Sequence, residues 1–458
     1  MGQALSLWGW GFSWGWGWPF TRRTIEKDIW AAYVVRASGQ EAESLFRFPY
    51  RIDEASALVK RFRCDSLSSY SVLSADEPLR DELQKLVFGE GKLLHDALSS
   101  RERRALACFL GMALGDALGA PLEFSSLRYN EQTITGFSDS TQWQWPFNKF
   151  NLKPGQWTDD TSMGLCLAES LLVHPTFDPI DLRVRFLNWW HFGYRNAFGA
   201  DDLRTSVGLG GCIGMSMTEF QEKKTEYTVA GDKNTSGNGS IMRLAAVPVC
   251  FHDNLPKALE VAYNQSKTTH QGEEAAECAR LMTMIIVQLI NESESAPAER
   301  KGRVLGQIGD KFETKLYSIQ CMAHARCEEP HEQNTGQKLD DRKWNWKEAD
   351  FRYSETRAKA QPGYIGSYCM DGLAMALHCV WSTQSFSEAL LKVINLRGDS
   401  DTVGSITGQI AGALYGVEDI PTDWIATVQR WDRQGEILHT AAKLFRHSPV
   451  VLSGAESP

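Results

Sequence analysis

Apolar residues recur at helical spacing along most of the chain after Arg101, and this pattern continues to about Phe445. One example is RRALACFLGMALGDALGAPLEF, residues 103–124, which predicts a buried helix that ends in a loop. Patterns that predict strands are few and short. A further helix is expected to begin near Ile241. The pattern therefore indicates a mainly helical domain.

Changes in amino-acid composition and pattern divide the chain into segments. Residues 1–23 are rich in Trp and Gly, and residues 24–100 form an extension that is mostly helical in pattern. The main domain covers 101–445, and a polar run at about 293–361 is interpreted as a partly helical insertion on its surface. Residues 446–458 form a tail. The extension contains no chemical motif, so we expect the chemistry to lie in the main domain.

The first six residues, MGQALS, fit the pattern for N-myristoylation of Gly2. A single acyl chain binds membranes only weakly and needs a second signal. Trp rings that settle at lipid headgroups, followed by Arg22 and Arg23, would supply that signal. The segment therefore predicts a cytoplasmic protein that associates with a membrane surface. A protein-docking segment, a strand with one aromatic face and a disordered tail are the alternatives.

Composition and charge narrow the classes of protein. The 458 residues are 43% apolar and 23% charged, which is typical of a globular protein with a sizeable core. The formal net charge of −9 makes nucleic acid an unexpected partner, because nucleic-acid binders more often carry a basic balance. The ten cysteines show no CxxC pair and are read as reduced thiols. No apolar run approaches the ~20 residues that span a bilayer.

Two short stretches place carboxylates and hydroxyls where helices should begin. Residues 158–161 read TDDT and residues 399–402 read DSDT. N-capping explains either stretch alone. Brought together, four carboxylates would repel one another unless a cation neutralises them, and oxygen ligands select Mg²⁺, Mn²⁺ or Ca²⁺. After the second stretch, Gly404, Gly408 and Gly412 form a stripe that predicts close helix packing.

Two further elements fit a phosphate-containing ligand. Ser236, Gly237, Asn238 and Gly239 form a turn that exposes backbone N–H groups, which can hold phosphate when a helix follows. The turn is also compatible with an ordinary loop. His270, in QSKTTHQGEEAAECARL, is expected to begin an amphipathic helix, where its ring would cap that helix, pack against a neighbour or contact a ligand.

Six segments together resemble the ADP-ribosylglycohydrolase family, in particular its dinitrogenase reductase-activating glycohydrolase-like members. They occur in the family's order and cover about residues 101–420. The segments are GDALGAPLEF, WTDDTSMGLCLAESLL, GNGSIMRLAAVPV, SKTTH, GYIGSYCMDGLAMALHCV and NLRGDSDTVGSITGQIAGALYG. The resemblance implies an all-α domain of orthogonally packed helices around a site for two Mg²⁺ or Mn²⁺ ions.

The resemblance also assigns roles to residues. Glu123 matches the family's acidic residue beside the metals and is assigned, with Asp160 and Asp401, to catalysis. The implied metal ligands are Thr158, Asp159, Asp160, Asp399, Asp401 and Thr402. The implied substrate-binding residues are Asp116, in the family's GD pair, then Ser236, Gly237, Asn238 and Gly239 for the phosphates and distal ribose, and His270.

The chemistry implied is hydrolysis at the anomeric carbon of the distal ribose, which releases ADP-ribose from a modified protein side chain. Family members act on arginine, serine or other acceptors, and the WTDDT and GNGS forms favour arginine. Two alternatives stay open. One is a non-catalytic ADP-ribose-binding module at membranes. The other is a phosphohydrolase of the haloacid dehalogenase type, in which INLRGDSDT would be a strand followed by its acidic motif.

Overall fold

A computed structural model describes residues 98–198, 204, 206–432 and 435–446. Within these residues there are helices and isolated β-bridges but no β-strand, which confirms the all-α expectation. The sixteen α-helices are α1 Ser100–Gly119, α2 Asp159–Val173, α3 Pro179–Phe192, α4 Gly211–Lys223, α5 Ala246–Cys250, α6 Leu255–Lys267, α7 Glu273–Asn291, α8 Pro297–Val304, α9 Ile308–Lys311, α10 Tyr317–Ala323, α11 Glu355–Ala360, α12 Cys369–Trp381, α13 Phe386–Ile394, α14 Ser400–Tyr415, α15 Thr422–Gln429 and α16 Glu436–Arg446.

The centre of the domain is the packing of α1 against α14. The predicted glycine stripe lies in this interface, because a Cβ on Gly408 would overlap the backbone of Gly111, and one on Gly404 would come within 2.6 Å of the Gly115 carbonyl oxygen. Gly412 meets the backbone of Ala107 in the same way. The prediction of close helix packing is therefore confirmed. The two backbones touch without intervening side chains.

The first helix is buried from Glu102 to its last residue, Gly119. The segment Ser100–Leu122 is long and apolar enough to cross a membrane, with a mean hydropathy of 1.6 over 18 residues, yet all of that window is buried in the domain. The expectation that no apolar stretch reaches spanning length was therefore wrong. The small residues that let α14 approach also separate the apolar ones, so no uninterrupted apolar run marks the helix in the sequence.

The remaining helices surround this central pair. Helices α12 and α13 pack against α14, α7 packs against α6, α12 and α14, and α16 packs against α1 and α2. The sequence of α16 shows why it takes this place: Ile437, Leu438, Ala441 and Leu444 are all buried. Their spacing forms one apolar stripe on a helix. The helical pattern predicted to about Phe445 is confirmed.

The polar run at 293–361 contains α8, α9, α10 and α11, so its partly helical character is confirmed. The expectation that it lies on the surface is wrong in part. Trp344 and Trp346 are fully buried, and their indole N–H groups donate to Glu328 and to the carbonyl of Met322, each at 2.8 Å. The charged residues that surround these two tryptophans in the sequence made the segment look exposed. This segment contributes to the core.

Two local predictions are corrected. The helix expected near Ile241 begins at Ala246, because the carbonyl of Met242 accepts from the side chains of Ser405 and Gln409 on α14. That carbonyl is therefore not part of a helical ladder. A haloacid-dehalogenase-type site requires a strand at INLR, but Ile394 is the last residue of α13 and residues 395–397 form no strand, so that alternative is excluded.

Several predictions fall on residues outside those that the structure describes. They are the N-terminal segment 1–23 with Gly2, nearly all of the extension 24–100, and the tail after Arg446. The domain boundaries proposed from the sequence stay predictions.

Candidate active site

Two helix starts, from distant parts of the sequence, meet in the interior. Helix α2 begins at Asp159 with Thr158 at its N-cap, and α14 begins at Ser400 with Asp399 at its N-cap. Neither cap side chain hydrogen-bonds to the backbone of its own first turn. N-capping, which would explain either stretch alone, therefore does not account for the side chains of Thr158 and Asp399.

Glu123 joins the second helix start through a short backbone pairing. The N–H of Phe124 donates to the carbonyl of Gly398 at 3.1 Å, and the N–H of Gly398 donates to that of Ser125 at 3.0 Å. This pairing places Glu123 beside Asp399 and Asp401. One carboxylate oxygen from each of the three lies within 4.8 Å of the other two, and all three residues are buried.

Five carboxyl groups share this interior, and their electrostatics are unfavourable without a cation. Burial raises the pKa of Glu123, and the charges of Asp401 and Asp399 raise it further. Burial and neighbouring carboxylates likewise raise the pKa values of Asp159, Asp160 and Asp401 well above the ordinary range. Among the described residues, no Lys or Arg forms an ion pair with any of the five.

The donor set fits a divalent cation. Oxygen Oε2 of Glu123 and oxygen Oδ1 of Asp160 are buried without a hydrogen-bond partner in the described part of the chain. Anionic oxygens left unpaired in a protein interior are costly, and hard cations such as Mg²⁺ and Mn²⁺ prefer such ligands. The predicted acidic ligands of both helix starts therefore belong to one buried carboxylate cluster, and the space between them is called the cavity below.

Asp116 lies beneath this cavity. Its Oδ1 accepts from the N–H and hydroxyl of Thr158 at 2.9 and 2.8 Å, and its Oδ2 accepts from those of Thr161 at 2.9 and 2.7 Å. Asp116 is completely buried. These four bonds hold the first turn of α2, so Asp116 positions the two acidic residues that begin that helix. Its predicted contact with substrate stays a prediction.

The two predicted threonine ligands are buried at the helix starts. The hydroxyl of Thr158 lies 3.3 Å from Oδ2 of Asp160 as well as bonding to Asp116. The N–H of Thr402 donates to Oδ1 of Asp401 at 2.8 Å, which fixes that carboxylate at the first turn of α14. Both threonines therefore lie among the carboxylates that they were predicted to accompany.

The predicted phosphate turn is attached to the carboxylates. Asn238 donates from Nδ2 to Oδ2 of Asp399 at 2.8 Å and to the carbonyl of Gly366 at 3.0 Å. Its backbone N–H donates to the carbonyl of Ser367 at 2.9 Å. The hydroxyl of Ser236 is buried and has no partner within the described residues. The turn thus forms one wall of the same cavity.

His270 does not begin helix α7, which starts at Glu273 after Gly272 at its N-cap; instead its ring is packed against the glycines of this turn. A Cβ on Gly237 would lie 3.1 Å from Nε2 of the ring, and one on Gly239 would lie 3.0 Å from Cε1. The other ring nitrogen, Nδ1, is 2.8 Å from the hydroxyl of Thr269. Burial, with the nearby charge of Arg243, lowers the pKa of His270 to about 3. The ring is therefore neutral at physiological pH and shapes the turn, so larger residues do not fit there.

Three residues at the cavity carry no role in the sequence-based prediction. The hydroxyl of Tyr364 donates to Oε1 of Glu123 at 3.3 Å. Gly208, at φ +89°, has no room for a Cβ because the side chain of Asp159 occupies that space. Phe124 lies half exposed beside Glu123. Tyr364 and Phe124 occur in two of the six segments, which is the signal that pointed toward them.

Comparisons with known proteins identify the family of this chain. The sequence model of the ADP-ribosylglycohydrolase family matches residues 97–451. The ADP-ribosylarginine hydrolase Tri1 of Pseudomonas putida is 28% identical over 76% of this chain and 79% of its own length. The ADP-ribosyl-[dinitrogen reductase] glycohydrolase of Rhodospirillum rubrum is 28% identical over 70% of this chain and 89% of its own.

Solved structures show the same fold. A chain of an ADP-ribosylglycohydrolase-related protein complex superposes with a TM-score of 0.55 and 27% identity, and the match covers 77% of this chain and 100% of that one. The helices, the order of the six segments and the extent of the family match are mutually consistent. The chain therefore belongs to the ADP-ribosylglycohydrolase family of hydrolases.

Proposed function

We propose that this protein is a metal-dependent hydrolase that removes ADP-ribose from ADP-ribosylated arginine side chains of proteins. One observation carries the proposal: Asn238 joins a turn rich in backbone N–H groups to Asp399 of the carboxylate cluster. Such turns suit phosphates, and clustered carboxylates suit divalent cations. A ligand that contains a diphosphate beside a ribose would use both features at once.

The metal ligands in this proposal are Thr158, Asp159, Asp160, Asp399, Asp401 and Thr402. They would hold two Mg²⁺ or Mn²⁺ ions, and when bound, such ions supply charge that orients ribose hydroxyls and lowers the pKa of water. The cluster is anionic, and its nearest hydrogen-bond donors are neutral. A divalent pair would relieve that repulsion.

In the reaction, Glu123 is the residue that orients the attacking water or takes its proton. Its carboxylate lies beside Asp399 and Asp401 of the proposed metal ligands, and a carboxylate at that place can accept a proton from water. Tyr364 donates to Oε1 and leaves Oε2 available. Water adds its oxygen to the anomeric carbon, the bond from that carbon to the guanidine nitrogen breaks, and the nitrogen gains a proton. The products are ADP-ribose and an unmodified arginine.

The choice of arginine as the acceptor rests on the relatives. Two of them, from Pseudomonas putida and Serratia proteamaculans, are named ADP-ribosylarginine hydrolases and are 28% and 27% identical to this chain. The human ADP-ribosylhydrolase ARH3 is 22% identical. The greater similarity to the former favours arginine, in agreement with the WTDDT and GNGS motifs.

The test is release of free ADP-ribose from arginine-modified and serine-modified peptides, with Mg²⁺ and with chelator. We expect metal-dependent release from the arginine peptide, and its loss in Asp401→Ala. Asp340→Ala is the matched control, because that carboxylate is 94% exposed in the insertion and far from the ligands in sequence. Binding of ADP-ribose without release from either peptide would contradict the proposal and support the binding-module alternative.

We further propose that the N-terminal segment attaches the enzyme to a membrane surface through Gly2 and the following tryptophans, and that the protein is otherwise cytoplasmic. The motif MGQALS and the run of tryptophans support this proposal. Cell fractionation of the wild type and of Gly2→Ala tests it. We expect the variant to move from the membrane fraction to the supernatant with unchanged turnover. A wild type found wholly in the supernatant and without an acyl group would refute the proposal.

A further inference from the structure

The residue that follows the proposed base faces the opposite way. Glu123 is buried, whereas Phe124 is 47% exposed and is one of the few large apolar side chains on the surface of the described residues. A lone exposed apolar residue is ordinary on a protein surface. This one is different because it lies next to a buried acidic site and because its backbone conformation is unusual.

Phe124 has a φ of +61°, in the left-handed region. This conformation is unfavourable for a bulky side chain and persists only where the surroundings impose it. Here the pairing with Gly398 imposes it, through hydrogen bonds on both sides of the residue. The result is a sharp turn that directs one carboxylate inward and the next side chain, an aromatic ring, outward at the mouth of the site.

The ring is held in place by two neighbours. It stacks on Tyr364, with ring centroids 5.3 Å apart and an angle of 20° between the planes. The ring of Phe150 is a second neighbour, with centroids 5.6 Å apart and an angle of 69° between the planes. Tyr364 also donates to Glu123, so the same tyrosine holds both the Phe124 ring and the proposed base. The stack with Tyr364 covers one face of the Phe124 ring, and 47% of the residue is exposed.

We propose that the open part of the Phe124 ring binds the guanidinium group of the acceptor arginine. This inference rests on the proposed function and extends it to the acceptor. The bond that breaks joins the ribose inside the cavity to the acceptor side chain outside it, so the first acceptor group past that bond reaches the residue beside Glu123. A planar cation on an aromatic face, with carboxylates behind it, is a favourable arrangement.

The same geometry gives no comparable advantage to a serine acceptor. A seryl side chain offers a neutral oxygen and one methylene group, neither of which interacts with a ring face as a cation does. Adenine also stacks on aromatic rings, but it lies beyond the phosphates from the ribose that is cut.

Two variants distinguish binding of the acceptor by the face of the aromatic ring from binding by any apolar side chain. Phe124→Leu keeps an apolar side chain and the same backbone demand but removes the aromatic face. Phe124→Trp keeps a face and strengthens it. With the arginine peptide and Mg²⁺, we expect Leu to raise KM by about fivefold with kcat little changed, the size of a cation–π contact at a half-exposed site. We expect Trp to keep KM at or below the wild-type value.

Affinity for free ADP-ribose, measured by calorimetry, is the second readout and should be the same in all three proteins. An active wild type whose KM is unchanged in Phe124→Leu would overturn the inference. So would an equal loss of affinity for free ADP-ribose, which would assign the ring to adenine. A wild type that releases ADP-ribose from serine alone, or from neither peptide, would overturn the proposed function and the inference together.

Discussion

The contact between α1 and α14 should tolerate no side chain at Gly408. A Cβ there would lie 2.6 Å from the carbonyl carbon and 3.2 Å from the Cα of Gly111. Backbone atoms cannot rotate away as a side chain can, so the helices would have to separate. Overpacking typically costs about 1–3 kcal/mol and occasionally more, so against unyielding backbone we take about 2–4 kcal/mol, of which the helix propensity of Ala returns about 1 kcal/mol.

We therefore expect Gly408→Ala to lower the free energy of unfolding by about 1–3 kcal/mol. For a domain of roughly 350 residues this corresponds to a fall in Tm of about 2–4 °C. The ends of the same two helices lead to Glu123 and Asp401, so turnover should fall as well. Thermal denaturation with Mg²⁺ present, followed by a turnover assay below the transition, measures both effects.

The matched control is Gly302→Ala. Gly302 is exposed on helix α8, and a Cβ there would have no neighbour within 4 Å. Only the helix-propensity gain applies at this position, so Tm should rise slightly or stay unchanged. If Gly408→Ala and Gly302→Ala shift Tm equally, the reasoning from backbone contact is refuted.

Three further results are expected. Asn238→Ala removes the hydrogen bond to Asp399 and should weaken Mg²⁺ activation by roughly tenfold or more, measured as the Mg²⁺ concentration for half-maximal turnover. Arg342→Met leaves Glu328 as an unpaired buried charge and should destabilise the protein by about 3–5 kcal/mol, whereas adding Glu328→Gln should restore part of this loss of Tm. Burial lowers the pKa of His270 to about 3, so the unfolded chain binds a proton that the folded chain does not. Its contribution to stability is present above pH ~6.5 and is lost as pH falls toward 3; His270→Gln should reduce the drop in Tm between pH 7 and pH 4.

Much of the fold could be predicted because the decisive residues lie in continuous sequence patterns. The stripe that contains Gly408 indicated a helix contact before its partner was known, and the contact lies where α1 carries its own small residues. The TDDT and DSDT stretches indicated two helix starts, and both are observed. What the pattern could not supply is which helices pack together, because that depends on pairs distant in the chain.

The predictions that were wrong failed for the same reason, because each depends on contacts between residues distant in the chain. Trp344 is buried because Glu328 and Arg342 come together around it, and their charges made the segment read as surface. The carbonyl of Met242 is taken by side chains of α14, so the helix begins later than its local sequence favours. The position of Phe124 depends on a pairing with Gly398, and no local pattern shows that pairing.

The most direct test of the central claim is the metal dependence of ADP-ribose release. The wild-type protein is freed of metal with a chelator, mixed with an ADP-ribosylarginine peptide, and Mg²⁺ or Mn²⁺ is then titrated back while free ADP-ribose is measured. We predict no release in chelator and recovery as the cation is added, because five buried carboxyl groups need its charge. Full release in chelator would contradict the account of the carboxylate cluster.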